Sequence, residues 1–264
     1  MKTRLTDFTM AYDETGSGKP ILFIHGFPLN RKMWEPQIEA FSDNMHVIAP
    51  DLRGHGETEA IPGPYEMEML ADDCHGLLEA LGVTQPVVVC GLSMGGYATL
   101  AFYRKYPERA AGLILAATRA GADSEEGKAN REKAAAQAQE KGVSAIIDGM
   151  LPKILAPGTY ETRPELVERV REMMADTSVE GLVGAQLGMK ERPDSTPLLT
   201  QIRVPTLVLH GAEDQILPPS EAEATHTAIQ GSQLHILPDA GHLLNLEQPE
   251  RFNRAVADFL AALV

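Results

Sequence analysis

The run Val87-Val88-Val89-Cys90, followed by Gly91-Leu92-Ser93-Met94-Gly95-Gly96, constrains this chain more than any other stretch. Four consecutive apolar residues read as a strand buried on both faces. Tyr97-Ala98-Thr99-Leu100-Ala101-Phe102 then reads as a helix. A chain that turns from strand to helix so sharply must bring the two elements very close. Gly91 and Gly95 remove the Cβ atoms that would block this approach, and Gly96 gives further room. The serine between them is held in strained backbone that pushes its Oγ out of the fold. The amides that open the helix favour negative charge beside it. A Gly-rich turn with an incidental serine is the bland alternative. The strand before and the helix after argue against it.

The same alternation recurs along the chain. Thr3 to Tyr12 alternates weakly as an edge strand, and Asp13 to Gly18 is a turn. Strands are expected at Pro20–Ile24, Val47–Ala49, Gly112–Ala116, Pro205–His210 and Gln233–Leu237. Helices are expected at Arg31–Phe41, Tyr65–Leu81, Met94–Tyr106, Pro219–Ile229 and Pro249–Leu263. Continuous apolar strands alternating with helices predict an α/β fold: a mostly parallel central sheet with helices on both faces. Residues 119–199 differ, being rich in Ala, Glu, Lys and Met with no convincing strand. They read as three or four helices forming an inserted cap. Residues 1–118 and 200–264 form the core. A cap placed there would sit over the carboxyl edge of the sheet, where open α/β folds bind ligands.

Composition narrows the function classes. A formal charge of −14 argues against nucleic acid or an anionic membrane as partner. No apolar run is long enough to span a bilayer, and the start of the chain lacks a signal-peptide core. The cytoplasm is therefore the default location. Cys74 and Cys90 both read as small core residues. The eight histidines show no metal-ligand spacing, so no metal and no cofactor are expected.

A nucleophilic serine needs a base, an acid that orients the base, and two oxyanion donors. Asp214 leaves a strand in His210-Gly211-Ala212-Glu213-Asp214, and His242 follows the last strand in Pro238-Asp239-Ala240-Gly241-His242. This is the chain order Ser, Asp, His. Glu213 is a rival acid whose side chain points elsewhere. Asp239 reads as a turn residue, His210 and His235 as strand histidines, and His226 as solvent-facing. The oxyanion amides should be those of Met94 and Phe27. Phe27 lies in His25-Gly26-Phe27-Pro28, where His25 braces the loop. Ile146, Met150, Leu151, Leu217 and Leu243 are the candidate substrate-pocket residues.

With these motifs in order, and with Asp51-Leu52-Arg53-Gly54-His55-Gly56 between them, the chain resembles the α/β-hydrolase superfamily along essentially its whole length. Ala117-Thr118-Arg119-Ala120 and Gly188 to Ser195 are similar to small bacterial carboxylesterases with a helical cap, near the 3-oxoadipate enol-lactonases. Thr58 departs from the commoner serine at a structural position. The resemblance implies a nucleophile at Ser93, an acid at Asp214, a base at His242, and a preference for short acyl chains. Serine at position 93 rules out haloalkane dehalogenases and epoxide hydrolases, which need a carboxylate there. Leu92 leans against carbon–carbon bond hydrolases, which often carry Asn.

The reading is a serine carboxylic-ester hydrolase acting on a small-molecule ester or lactone, as a monomer or homodimer. A lactonase is the nearest alternative. Perhydrolase or C–C bond hydrolase activity comes further off. A small-molecule receptor on the same fold is the non-enzymatic alternative.

Overall fold

Eight strands form one sheet in the order β1-β2-β4-β3-β5-β6-β7-β8 in the computed structural model, which describes residues 1–263. In chain order the elements of the first half are β1 (Lys2–Arg4), β2 (Thr9–Thr15), β3 (Lys19–Ile24), α1 (Glu35–Phe41), β4 (Met45–Pro50), α2 (Met67–Ala80), β5 (Val87–Leu92), α3 (Met94–Lys105) and β6 (Ala110–Ala116). Six helices follow: α4 (Glu125–Lys141), α5 (Val143–Met150), α6 (Pro157–Thr162), α7 (Pro164–Ala175), α8 (Val179–Glu191) and α9 (Thr196–Leu199). The chain then returns to the sheet with β7 (Thr206–Gly211), α10 (Ser220–Ala228), β8 (Gln233–Leu237), α11 (Leu244–Glu247) and α12 (Pro249–Ala261). From β4 across to β8 every pairing is parallel, while β1 and β2 are antiparallel.

Period-two geometry explains the apolar strands. In β3, Leu22 and Ile24 enter one apolar layer, while Ile21 and Phe23 enter the other. In β5, Val87 and Val89 face the first layer, and Val88 and Cys90 the second. Alternate side chains point to opposite faces, so both sets are apolar when helices cover both. The first layer is closed by α2 and α3 through Leu70, Cys74, Leu77 and Phe102. The second is closed by Trp34 and by α12 through Phe252, Val256 and Phe259. Each of these buried large side chains contributes about 1.5–3 kcal/mol. Both cysteines are free and buried, and burial pushes their thiols up.

Three expectations are corrected. The single edge strand Thr3–Tyr12 is two strands, because residues 5–8 break the ladder. The second continues to Thr15, through the expected turn, since Asp13, Glu14 and Thr15 pair with Ala49, Ile48 and Val47. Pairing with a buried strand outweighs local turn composition. The segment between β6 and β7 holds six helices rather than three or four. Pro157, Pro164 and Pro197 open helices instead of merely separating them.

The inserted helices bind the loops at the carboxyl ends of several strands. Thr177 donates to the Pro28 carbonyl after β3 at 2.9 Å. Ser178 Oγ donates to the Gly54 carbonyl after β4 at 2.9 Å. Gln215, after β7, donates to the Leu155 carbonyl at 3.0 Å. Glu247, after β8, accepts from the Ala156 amide at 2.7 Å. At Gly54 and Gly181 the backbones touch: a Cβ on Gly181 would lie 2.1 Å from the Gly54 oxygen. No helix is long and apolar enough to cross a membrane among the described residues.

Candidate active site

Ser93 lies between β5 and α3 with φ 56° and ψ −114°, in backbone that L residues rarely adopt. The glycines around it make this possible. A Cβ on Gly91 would lie 2.1 Å from the Gly95 oxygen, and one on Gly95 2.1 Å from the Ile24 oxygen. Ser93 occupies the N-cap of α3, yet its side chain caps nothing. Ser124 and Ser178 cap α4 and α8 in the ordinary way, accepting from Gly127 and Gly181 amides. The difference lies in the backbone: extended φ and ψ turn those two hydroxyls onto their helices. The left-handed φ turns that of Ser93 away. Ser93 is anchored through its main chain instead, its amide on the Ala116 carbonyl and its own carbonyl on Thr118 Oγ1, both at 2.9 Å.

Asp214 and His242 come from the loops after the adjacent parallel strands β7 and β8. Gly211 and Gly241 bring these loops together, a Cβ on Gly211 falling 2.1 Å from the Gly241 oxygen. His242 Nδ1 donates to Asp214 Oδ2 at 2.7 Å, with both side chains buried. Asp214 Oδ1 accepts from the Ile216 and Leu217 amides at 2.8 and 3.0 Å. Burial alone would raise this carboxyl. Attraction to His242, together with donors from His210, His242 and Leu217, overcomes burial and holds it well below the usual carboxylate range. Nδ1 of His242 is engaged with the acid, so Nε2 is the nitrogen left for the serine. Among the described residues Ser93 Oγ is not hydrogen-bonded to it.

The Phe27 loop reaches the serine from β3: a Cβ on Gly26 would be 3.4 Å from Ser93 Cβ. Among the described residues the amides of Phe27 and Met94 pair with no backbone acceptor in the surrounding loops. His25 braces that loop. Its Nδ1 donates to the Gly26 carbonyl at 3.0 Å, and its Nε2 accepts from the Leu52 amide at 2.9 Å. Burial lowers its pKa to about 4. His55, packed against it, is lowered by burial to about 3. Asp51 accepts from the amides of Arg31 and Glu57 and from the Arg31 guanidinium. Thr58 is structural: its hydroxyl donates to the Asp51 carbonyl and accepts from the Ala11 amide.

Of the rivals, Glu213, Asp239 and His235 are exposed. His226, expected to face solvent, is half-buried, with Nδ1 2.8 Å from Ser232 Oγ. His210 proves to be more than a strand histidine: its Nε2 lies 3.3 Å from Asp214 Oδ2. Its i, i+4 relation to Asp214 across a strand end was the available signal.

Of the five pocket candidates, Met150 lines a cavity of about 320 Å³ with Arg119, Asp123, Arg131, Lys153, Gln215 and Ile216. Gln215 and Ile216 directly follow Asp214. Ile146, Leu151 and Leu243 are packed into the apolar layers, and Leu217 is buried. An ion cluster on the cavity wall has no local sequence signature. Asp123 accepts from Arg119, Arg131 and Arg192 at 2.5, 2.9 and 2.7 Å. Arg192 also lies over the Tyr97 ring of α3 at 4.1 Å. No group of three or more His, Cys, Asp or Glu could hold a metal ion among the described residues.

Residues 19–249 match the family described as alpha/beta hydrolase fold. The chain is 34% identical to 3-oxoadipate enol-lactonase 2 of Acinetobacter baylyi, over 89% of this chain and 86% of that protein. A thermophilic esterase from Thermogutta terrifontis, solved with malate bound, is 46% identical. It superposes with a TM-score of 0.96 over 100% of this chain and 98% of that one. The enol-lactonase from Burkholderia xenovorans is 29% identical, with a TM-score of 0.92 over 99% and 100% of the two chains.

Proposed function

This chain belongs to the α/β-hydrolase family, and on that premise we propose that it is a serine carboxylic-ester hydrolase. Ser93 Oγ attacks the acyl carbon while His242 Nε2 takes its proton. Asp214 holds the ring by Nδ1 and stabilises the cation that forms. The oxyanion of the tetrahedral intermediate is bound by the amides of Phe27 and Met94. The alcohol leaves with the proton from His242, and a water, deprotonated by His242, releases the acid from Ser93. Residues 119–199 act as a cap over this site.

One observation carries the reading. Ser93 is withheld from capping its own helix, while Asp214 and His242 are already joined at 2.7 Å on neighbouring loops. The test is Ser93→Ala against p-nitrophenyl acetate and butyrate. Hydrolysis should fall to background; activity near that of the parent protein would end the proposal.

A lactone reading is favoured by a separate observation. The cavity that Met150 and Gln215 line lies beside the Asp214 loop but is not lined by Ser93, His242, Phe27 or Met94; its wall carries Arg119, Arg131 and Lys153 against the single carboxylate of Asp123. That excess of positive charge suits a substrate with a free carboxylate, as a lactone formed from one end of a dicarboxylic acid would have. Its ring opens by the same acyl-enzyme route. The malate in the Thermogutta esterase and the names of the enol-lactonases point the same way. A panel of lactones and acyclic esters, each with and without a free carboxylate, decides between the two.

A further inference from the structure

We infer that His210 is a positioning residue for the Asp214–His242 pair, an inference that rests on the ester-hydrolase reading above. The ring is fully buried at the end of β7, four residues before the acid. Its Nε2 lies 3.0 Å from the Leu217 carbonyl and 3.3 Å from Asp214 Oδ2. A carbonyl oxygen can only accept, so Nε2 carries a proton. The Leu217 carbonyl takes the shorter arm of that N–H and the carboxylate the longer one. Leu217 closes the arrangement from its other side, since its amide donates to Asp214 Oδ1 at 3.0 Å. His210, Leu217 and Asp214 thus form a ring of contacts that fixes the plane of the carboxylate. Oδ2 is then presented to His242 in a single orientation.

The other nitrogen of the ring argues that this contact is the reason for the residue. Among the described residues, Nδ1 of His210 is buried with no hydrogen-bond partner. An unpaired buried polar atom is a cost that an apolar side chain would avoid. A histidine serving only to fill space beneath β7 would be replaced to advantage by leucine or phenylalanine. What the imidazole supplies, and leucine or phenylalanine does not, is an N–H at Nε2, beside the carboxylate that must hold the base in one tautomer.

Three variants test this. His210→Phe keeps the ring volume and removes the donor. His210→Gln places an amide N–H where Nε2 was. His210→Phe combined with Asp214→Asn removes the group through which His210 is said to act. The substrate is p-nitrophenyl butyrate, with Ser93→Ala measured alongside. His210→Phe should lower kcat about tenfold, the low end for a bond to a charged group because the arm is long. KM should stay within about twofold, because substrate binding is not touched. His210→Gln should recover most of the loss. In the Asp214→Asn background, His210→Phe should cost less than about twofold more, the signature of one coupled unit. In the proton NMR spectrum, the downfield resonance of the His242 Nδ1–H should shift in His210→Phe and return in His210→Gln.

Equal losses in His210→Phe and His210→Gln, or the full tenfold loss on top of Asp214→Asn, would overturn the positioning role. So would an unmoved resonance. If His210→Phe does not fold, the Gln variant and the resonance carry the decision. If Ser93→Ala retains activity, the ester-hydrolase reading falls instead, and the two failures are told apart.

Discussion

Two buried aspartates are kept charged in opposite ways. Asp214, on the sheet, is surrounded by directional donors: two backbone amides and the ring N–H groups of two histidines. Asp123, at the start of the inserted helices, is surrounded by three guanidinium groups. The first arrangement fixes a direction and leaves a net negative charge facing His242. The second leaves a surplus of positive charge, part of which reaches the cavity wall through Arg119 and Arg131. Burial works against both carboxylates; attraction to Arg131 and Arg192 still lowers Asp123 to about 2, and attraction to His242 with the surrounding donors holds Asp214 well below the usual carboxylate range. On the proposed reading, the sheet holds groups that need orientation, and the insertion holds groups that need only sign. Proton transfer tolerates little misplacement, whereas selection of an anion works through the field.

The sharpest way to break this contrast is to exchange direction for mere polarity. Asp214→Asn keeps the size, but with its one oxygen held by the Ile216 and Leu217 amides it turns an NH2 donor toward the His242 Nδ1–H. We expect kcat to fall about 10⁴-fold with KM nearly unchanged, measured by steady-state kinetics on p-nitrophenyl butyrate.

The second effect is on stability, and acid should reach the sheet half before the insertion. His25 and His55 are lowered from 6.5 to about 4 and about 3 by burial. Each binds its proton more weakly folded than unfolded. Their contribution is therefore complete above 6.5 and is lost as pH falls from there towards 4 for His25 and 3 for His55. For His25 this is on the order of 3 kcal/mol. Asp123 follows the same sign, but its contribution is lost only as pH falls from 3.8 towards 2. Thermal unfolding across this range should show Tm dropping below pH 6.5, with a shallower drop in His55→Gln. A flat Tm between 6.5 and 4 would contradict the burial of both rings.

Next is Asp123→Ala, which leaves three arginines facing one another. Arg119 and Arg131 are partly exposed, so the cost falls below that of a fully buried pair, about 2 kcal/mol. Tm should drop by roughly 4–8 °C. Turnover of p-nitrophenyl acetate per folded molecule should hardly change. The smallest effect is that of Arg131→Ala: KM for an ester bearing a free carboxylate should rise about tenfold. KM for p-nitrophenyl acetate should stay constant, since that substrate has no charge to select.

The same contrast explains what the sequence reveals. The turn at Ser93, the loop of Phe27, and the positions of Asp214 and His242 are legible because each rests on local rules. Gly91 and Gly95 announce a close approach, and strand-end loops announce one edge of the sheet. The apolar runs at Ile21–Ile24 and Val87–Cys90 announce a sheet covered on both faces. The length of β2 is not legible, since Asp13 to Thr15 are turn-like in isolation and are held only by β4. The Asp123 cluster is also hidden, because Arg192 lies 69 positions away and meets it only when α8 returns to α4. His210 is half-legible: its spacing from Asp214 is visible, but the orientation of its ring is not.

The account stands or falls on whether Ser93 is a nucleophile activated by His242. Treatment with a fluorophosphonate, followed by mass spectrometry of the peptides, tests this without knowledge of the substrate. The account predicts one adduct, on the peptide carrying Ser93, formed at least about 100-fold more slowly in His242→Ala. An adduct elsewhere, or one formed equally fast without His242, would contradict it.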